Sequence, residues 1–527
     1  MKNRIKQYLL AASMCVGLTA CSDFFEPIPG VQFGLDETFA SKQRTEEYLN
    51  NVYSYVREVT DAIHPNTYGG IFTEASLDGA NRWNKTYAEW TNGSFNSASA
   101  QASEYFSKYY QAIAKASTFI QNVDKCTEAA ASTRGKWKSE ARALRAYYYF
   151  ELLRLYGPIP LIGEDPIPLD ASLEELIKER NSVDECVNFI ATELQSAIDS
   201  GDLLQRAGKA NLGRMDVATC MALKAKLYLY WASPLFNGNT DQASVKNKDG
   251  KQLFPQTEDN SKWAQARDAY ERFMTFATGQ GYKLTEVYTN GKLDPYASCR
   301  AAGEFFTTTW EAVDELIFVK LRDLYDYTYW VCPKFTDFQD TDVTGGGGYY
   351  TTQETVDLFF TKDGLTIEED PGYDKFEGIP SANNFTSGRY YDPNNPSRLY
   401  FDADKSKVLK QWKDREPRFY VNITYSGSIW LNEGKYNEEM RTDFTNGANG
   451  TCGKSKASGD CPDSGYLIRR GAKASNNNGS KHFSPVLRLA DMYLGYAEAL
   501  CMCSDLDNAL TYLNKIRVRA GIPEYTF

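Results

Sequence analysis

One segment of the sequence, residues 136–162 (KWKSEARALRAYYYFELLRLYGPIPLI), constrains the fold more than any other. At 3.6 residues per turn its apolar side chains form two opposite stripes. One stripe contains Trp137, Ala141, Leu144, Tyr148, Leu152 and Leu155, and the other contains Ala143, Ala146, Tyr147, Phe150 and Leu153. The charged residues between the stripes are Arg142, Arg145, Glu151 and Arg154. This pattern predicts a helix covered on both sides by other helices. Gly157, Pro158 and Pro160 end it, because Gly permits a left-handed turn and Pro cannot continue a helix.

Several other segments have the same helical periodicity. The predicted helices span residues 38–59, 104–125, 183–200, 216–231 and 263–276, with a final pair that begins at Pro485 and at Asp505. Ser182 and Glu185 predict a capping box at the start of one of them. Helices arranged in series predict a mostly α fold, a tetratricopeptide-like helical superhelix, although the chain has no strict repeat of about 34 residues.

The amino-acid composition of the sequence changes between residues 284 and 480. This part is rich in Gly, Asn, Asp and Tyr and includes the run Gly345, Gly346, Gly347 and Gly348. Its strand-like pieces are short, at residues 315–319 and 418–423. Long ordered loops are where binding sites concentrate, so this loop-rich region is the candidate ligand-binding surface.

The first 20 residues have the pattern of a secretory signal, with a basic start and a short apolar run. The run is too short to span a membrane. The Leu-Thr-Ala sequence before Cys21 resembles a bacterial lipobox, in which cleavage leaves a lipidated cysteine at the N-terminus. The alternative is an ordinary signal peptide followed by a chance cysteine. Acyl chains on Cys21 would hold the protein on a membrane, at about 0.8 kcal/mol per buried methylene.

Charge and histidine content exclude several classes of function. The formal net charge is −11, and removing Lys2, Arg4 and Lys6 with the leader makes it about −14. Such a surface repels phosphate backbones, so we expect no nucleic-acid partner. The chain has two histidines, His64 and His482, and neither lies in a metal-binding motif. We therefore expect no metal site and no cofactor.

Cysteine content excludes a complete disulfide framework. Eleven cysteines, less Cys15 in the leader and the lipidated Cys21, leave nine, which is an odd number. Those at positions 126, 186 and 220 lie in helix-like sequence and are predicted to be small buried apolar residues. Cys452 and Cys461 share a Gly/Asn/Ser-rich loop, where they either form a disulfide or remain separate thiols.

Two stretches resemble signatures of the SusD/RagB family of surface nutrient-binding lipoproteins. They are EARALRAYYYFELLRLYGPIPLI, and RLADMYLGYAEAL followed by ALTYLNKIRVRAGIP. The resemblance implies a signal peptide at 1–20, an N-terminal helical region at 21–284, and a C-terminal region at 285–527 with a loop-rich insertion and the final helical pair. The family usually continues beyond this last segment, so we expect either a shortened product or a member without the last packing layer.

The resemblance also implies partners and a location. These are a SusC-like TonB-dependent transporter, a glycan or in some members a peptide ligand, and the outer membrane, reached through the lipid at Cys21. A sugar binder needs flat rings for C–H faces and polar groups for hydroxyls. The candidate contact residues that combine both are Asn81, Arg82, Trp83, Trp90, Tyr325, Tyr327, Tyr329 and Trp330. For each of them, packing between loops and helices is the competing interpretation.

No motif indicates catalysis. A glycosidase needs two carboxylates at a set separation, and no surrounding pattern selects such a pair. The chain has no GxSxG nucleophile elbow. Gly453-Lys454-Ser455 does not complete a phosphate loop, because Ala448 stands where that loop requires glycine. We predict a glycan-binding protein that is not an enzyme, with a peptide receptor as the alternative and a surface glycoside hydrolase as a remote one.

Overall fold

A computed structural model describes most of the chain after residue 33. The described residues are 34–56, 76, 78–81, 93–165, 167, 171–303, 314–322, 330–335, 345–375, 378–430, 440–445, 452–453, 460–472 and 482–526. Its helices are α1 (Leu35–Ala40), α2 (Lys42–Ser54), α3 (Ala100–Asn122), α4 (Ala131–Tyr156), α5 (Leu173–Leu176), α6 (Val183–Asp199), α7 (Val217–Ala232), α8 (Ser261–Gly279), α9 (Pro295–Gly303), α10 (Gln353–Asp357), α11 (Pro417–Asn422), α12 (Leu489–Met502) and α13 (Leu506–Ala520). The predicted leader and Cys21 lie outside these ranges.

The strands are short and form four small sheets. They are β1 (Ala80–Asn81), β2 (Tyr288–Thr289), β3 (Lys292–Leu293), β4 (Leu316–Arg322), β5 (Tyr349–Tyr350), β6 (Arg389–Asp392), β7 (Asn395–Asp402), β8 (Ile423–Thr424), β9 (Leu467–Ile468) and β10 (His482–Arg488). One sheet has the order β1-β5-β9-β8, and the others pair β10 with β4, β2 with β3, and β6 with β7. The mostly α prediction is confirmed.

The long helices pack one against the next in a continuous stack. Helix α4 lies between α3 and α6, α7 lies between α6 and α8, and α12 packs on α8 and α13. Both predicted stripes of α4 are buried, except that Leu155 is partly exposed. Gly157 ends α4 at a φ of +68°, a backbone conformation that favours glycine. The two-faced helix is therefore covered on both sides, as its sequence predicts.

Two of the charged residues between the stripes of α4, Arg145 and Glu151, are also buried. Arg145 is fully buried, and its Nε and Nη2 donate to Oε2 of Glu193 on α6 at 2.8 and 2.5 Å. Its Nη1 donates to the hydroxyl of Ser117 on α3 at 3.0 Å. Buried charges need such partners, because removing an ion from water without a partner costs on the order of several kcal/mol. The neighbouring helices thus supply the partners that the sequence of α4 alone does not identify.

Helix ends follow the predicted caps. Ser182 and Glu185 form the capping box at the start of α6, and Asp505 accepts from the backbone N–H of Asn508 at the start of α13. Gly521 closes α13 in the left-handed conformation, with φ at +77°. The strand predicted at 315–319 is confirmed as the first part of β4.

Three predicted boundaries are wrong. The helix predicted at 38–59 is divided at Ser41 into α1 and α2, because Ser41 has an extended backbone and caps α2. The segment from Pro485 to Arg488 is strand rather than helix, and pairing with β4 there overrides its helical pattern. The piece predicted as strand at 418–423 is mostly helix α11, which has Pro417 in its first turn, a position that Pro favours.

The loop-rich region has a core of its own, formed mainly by aromatic rings. Its buried and partly buried rings include Tyr296, Tyr390, Tyr400, Phe401, Trp412, Phe419, Tyr420, Tyr425 and Tyr466. The rings of Tyr400 and Tyr420 stack with centroids 3.9 Å apart. These rings pack the loop-rich region together.

The cysteines predicted to be buried, Cys126, Cys186 and Cys220, are buried. Cys452 and Cys461 are buried as well, and the structure does not join them by a disulfide. Across the described ranges, none of the helices is long and apolar enough to cross a bilayer.

Candidate functional site

Two of the predicted contact residues, Asn81 and Trp330, lie in the described part of the structure. The other six, Arg82, Trp83, Trp90, Tyr325, Tyr327 and Tyr329, lie outside it. Asn81 ends strand β1, and Trp330 begins the described segment 330–335. The candidate site is therefore built here from the elements around these two positions.

The fold brings Asn81 and Trp330 to the same short segment. Asn81 is the register partner of Tyr349 in the antiparallel pair of β1 and β5. One residue earlier, the backbone N–H of Gly348 donates to the carbonyl oxygen of Trp330 at 3.1 Å. Asn81 and Trp330, which are far apart in sequence, therefore lie next to the same two residues near one edge of the four-stranded sheet.

The run of four glycines makes this meeting possible. All four are buried, and Gly347 has a φ of +59°. A Cβ atom at Gly347 would lie 3.0 Å from the carbonyl oxygen of Asp460 and 3.2 Å from the backbone nitrogen of Lys334. Glycine is needed because the backbone passes between two other backbone segments in a left-handed conformation.

Trp330 is half-buried at the border of a compact apolar cluster. The buried members of this Trp430 cluster are Val331, Cys332, Phe335, Tyr349, Trp430, Met440, Cys452 and Ala472. The guanidinium of Arg469 lies 5.6 Å from the centre of the Trp430 ring, within the range of a cation–π contact. Trp330 therefore packs against this cluster while part of the residue remains exposed.

A cavity of about 650 Å³ lies beside this edge, between the loop-rich region and helices α12 and α13. Asp78, Tyr349 and Thr351 line it on the side of β1 and β5. Apolar lining is contributed by Phe359, Ile423, Ile468, Leu494 and Ile516, and cationic lining by Lys226, Arg418, Arg470, Arg488 and Arg519. Small-molecule sites have volumes of roughly 300–1,000 Å³, so this cavity is large enough for a ligand.

The charged lining of the cavity is held by buried carboxylates. Glu315 accepts from Arg519 at 2.7 Å and lies 3.7 Å from Arg488. Burial alone would raise the pKa of Glu315, but these two arginines hold it below its ordinary value. Burial lowers the pKa of Arg488 to about 10, and the nearby positive charge of Arg470 acts in the same direction. Both groups therefore stay charged at neutral pH.

Sequence reasoning did not identify these cationic residues. In the sequence, Arg488 and Arg519 are recognisable as charged residues inside apolar helical patterns. That pattern alone predicts that their side chains face solvent, so it does not indicate a cavity. Arg418 and Arg470 lie in the loop-rich part, where no period orients a side chain. Within the described residues, no group of three or more His, Cys, Asp or Glu side chains is placed to hold a metal ion.

Two family models match the chain in separate parts. The SusD family model matches residues 315–527. A second model, described as starch-binding and associating with the outer membrane, matches residues 32–229. A curated relative, a SusD-like protein of Bacteroides ovatus, is 27% identical over 175 residues. That match spans 32% of this chain and 30% of the relative.

Solved structures share the fold across nearly the whole chain. The structure named BT4246 superposes with a TM-score of 0.74 and 24% identity, covering 92% of this chain and 83% of the other. A SusD-like carbohydrate-binding protein from Bacteroides fragilis has a TM-score of 0.62 and 18% identity, with 93% of this chain and 81% of the other covered. At these identities the likeness establishes the fold.

Proposed function

Because this chain belongs to the SusD family, we propose that it is a surface lipoprotein that captures a glycan and delivers it to a SusC-like TonB-dependent outer-membrane transporter. Oligosaccharides and polysaccharides are the proposed ligand class. This class is supported by the likeness to a SusD-like carbohydrate-binding protein and by the match to a family model described as starch-binding.

The observation that carries the proposal is the meeting of Asn81 and Trp330 at the Gly348–Tyr349 segment, next to the cavity. A sugar ring offers a C–H face to an aromatic ring and hydroxyls to amide and carboxylate groups. Trp330 is the proposed ring, and Asn81 and Asp78 are the proposed polar contacts. The remaining predicted residues stay proposed contacts because they neighbour these positions in sequence.

The proposed anchor is the lipid at Cys21, which would hold the binding surface at the outer membrane. Multiple weak contacts to a polymer keep its concentration high near a transporter, and this raises uptake without tight binding. Replacing Cys21 by alanine is expected to release the protein from the membrane fraction. Retention of that variant in the membrane would contradict the anchor.

Native affinity electrophoresis tests glycan capture. The mature protein is run through gels that contain different polysaccharides, and retardation by at least one of them is expected. Trp330→Ala should weaken that retardation, while Tyr288→Ala, at an exposed tyrosine outside the site, should leave it unchanged. If no polysaccharide retards the protein, or if Trp330→Ala has no effect in a folded variant, the proposed glycan site is wrong.

Two further assays distinguish glycan capture from catalysis and from peptide capture. We propose no catalysis, so the bound polysaccharide should gain no reducing ends during incubation. Peptide capture is the second candidate, and the cationic lining of the cavity favours it because a peptide carries a terminal carboxylate. Calorimetry with a peptide pool is expected to give no heat of binding. Peptide binding without glycan retardation would replace glycan capture by peptide capture.

A further inference from the structure

A second cavity, of about 270 Å³, lies in the loop-rich region. Its lining residues come from the segments 361–363, 370–374, 386 and 410–414. It shares no described lining residue with the cavity beside α12 and α13. We call it the Tyr373 pocket, after an aromatic residue in its lining. The contacts at the β1–β5 edge therefore do not account for it.

The less exposed part of the Tyr373 pocket combines an aromatic ring with two carboxylates. Asp370, Tyr373 and Asp414 are half-buried. The hydroxyl of Tyr373 accepts from Nη1 of Arg415 at 2.9 Å and donates to the carbonyl oxygen of Gln411 at 3.1 Å. These two hydrogen bonds hold the ring in place, so that a ligand lying on it costs little side-chain entropy.

Asp370 is held in its ionised form. Its Oδ1 accepts from the backbone N–H of Gly372 at 2.8 Å. The hydroxyl of Thr361 makes no hydrogen bond of ordinary length and angle within the described part of the chain, but it lies near enough to lower the pKa of Asp370, and the Gly372 N–H acts in the same direction. Asp370 is therefore a carboxylate at neutral pH, which accepts hydrogen bonds from hydroxyl groups.

Asp414 is held by its backbone and by its side chain. Its φ of +55° is a conformation that, apart from glycine, mainly Asn and Asp adopt. Its carbonyl oxygen accepts from the backbone N–H of Lys362 at 2.8 Å. Oδ1 accepts from the hydroxyl of Tyr390 at 2.9 Å, whereas no described residue donates to Oδ2. One carboxylate oxygen is therefore left for a ligand.

Lysine side chains stand among these carboxylates. Lys362 pairs with Asp363 at 2.8 Å, and Lys410 pairs with Asp374 at 3.3 Å. Lys413 is exposed in the same lining. Because both pairs are exposed, solvent weakens them, and a ligand hydroxyl can take a place beside either partner. Hydrogen-bond donors and acceptors therefore surround one small space.

This mixture favours an uncharged ligand that both donates and accepts hydrogen bonds. An anion would be repelled by Asp370 and Asp414. A cation would be repelled by Lys362 and Lys413, and no three His, Cys, Asp or Glu side chains of the described ranges are placed to hold a metal ion. Sugar hydroxyls donate to carboxylates and accept from ammonium groups, and the C–H face of a sugar packs on an aromatic ring.

The size of the Tyr373 pocket suits one sugar unit. Sites for larger small molecules have volumes of roughly 300–1,000 Å³, and this pocket is slightly smaller than that range. We propose that the Tyr373 pocket is a second carbohydrate subsite, which takes one neutral sugar unit of the captured glycan. The proposal rests on glycan capture as the function.

Packed residues join the second subsite to the first. Gln411, whose carbonyl oxygen binds Tyr373, precedes Trp412 in the chain. Nε1 of Trp412 donates to the hydroxyl of Tyr466 at 3.0 Å, and the carbonyl oxygen of Tyr466 accepts from the backbone N–H of Thr351, which lines the first cavity. A polymer long enough to reach both subsites would be held by two weak contacts on one packed unit, which together exceed either contact alone.

Affinity gels with the polysaccharide that retards the native chain test the second subsite. Asp414→Asn keeps the shape and the backbone preference of the side chain but removes its charge. Charge-assisted hydrogen bonds are about twice as strong as neutral ones, so the dissociation constant should rise about fivefold. Lys413→Ala, at an exposed position, removes one donor and should raise the dissociation constant about threefold.

The matched control is Asp249→Asn. Asp249 is exposed in the helical part of the chain, accepts one backbone hydrogen bond from Lys251, and lines neither cavity. Its replacement should leave retardation unchanged. Circular dichroism verifies that each variant is folded. Adding Asp414→Asn to Trp330→Ala should weaken retardation beyond the effect of Trp330→Ala alone.

Unchanged retardation of folded Asp414→Asn and Lys413→Ala overturns the second subsite. If Trp330→Ala still weakens retardation in that case, glycan capture stands. If no polysaccharide retards the native chain, glycan capture and the second subsite fall together. Calorimetry with calcium ions alone, and with a peptide pool, is expected to give no heat that depends on Asp414. Such a heat from either probe would make the pocket a cation site or a peptide site and overturn the sugar assignment.

Discussion

Replacing Arg145 by methionine tests whether the core of the helical stack depends on one buried ion pair. Arg145 is fully buried, and after its loss Glu193, which is 4% exposed, keeps an ion pair with Arg142 at 3.1 Å. Breaking a buried pair by removing one partner costs about 3–5 kcal/mol, because the other charge stays desolvated. The hydroxyl of Ser117 also loses a donor, worth about 1 kcal/mol. Because the remaining ion pair with Arg142 offsets part of these losses, we expect the free energy of unfolding to fall by about 3–5 kcal/mol.

A double variant separates the cost of the orphaned charge from the value of the pair. In Arg145→Met with Glu193→Leu, the buried charge is absent, and Arg142 can turn to Glu164 near the surface, which it already contacts at 3.4 Å. Buried ion pairs replaced by apolar residues of similar volume are often close to neutral in stability. The double variant should therefore be less destabilised than Arg145→Met alone.

Urea unfolding followed by tryptophan fluorescence and circular dichroism measures both variants against the native chain. Arg267→Gln, which removes a partly exposed pair with Asp268, is the control and should cost less than about 1 kcal/mol. If Arg145→Met costs no more than this control, or if the double variant is the less stable of the two, the electrostatic reasoning is refuted.

Three further predictions concern the site and its supports. Trp330→Ala should weaken glycan binding by about 1–3 kcal/mol, as removal of an anchor ring does, and calorimetry with the retarding glycan would measure it; unchanged affinity removes Trp330 from the site. Gly347→Ala should destabilise the protein by more than Gly465→Ala in urea unfolding. Both positions have positive φ, but only Gly347 has backbone atoms within 3.2 Å of the added Cβ; equal losses would contradict this steric argument. Burial raises the pKa of Asp216 from 3.8 to about 6, so its stabilising contribution is fully present below about pH 4 and is lost as pH rises through 6. The stability of the native chain relative to Asp216→Asn should therefore fall between pH 4 and 6, and a rise over that interval would show that the sign is wrong.

The helices and several of their ends follow from local sequence. The two apolar stripes of residues 136–162 correctly predict that α4 is covered on both sides, because a 3.6-residue period fixes which side chains share a face. Ser182, Asp505 and Gly521 mark helix ends through hydrogen bonds and backbone conformations within a few residues of each other. Such signals need no information from the rest of the chain.

Local sequence was a poor guide wherever distant segments compete for the backbone. The segment at 418–423 has β-branched and aromatic residues, yet burial of Phe419 and Tyr420 among other rings accompanies a helical turn. Residues 485–488 continue a helical pattern but pair with β4 instead. In both places tertiary contacts outweigh intrinsic preferences that amount to less than about 1 kcal/mol per residue.

Composition and spacing determined that this chain is mostly helical, where its central helix lies, and which residue types are suited to a sugar. Only the tertiary structure decided that Asn81 and Trp330 meet at Gly348–Tyr349. The same holds for the pairing of Glu315 with Arg488 and Arg519, which line the cavity. The reason is physical. Helical periodicity and capping act over a few residues, whereas a binding surface depends on pairings between distant segments whose register no local pattern encodes.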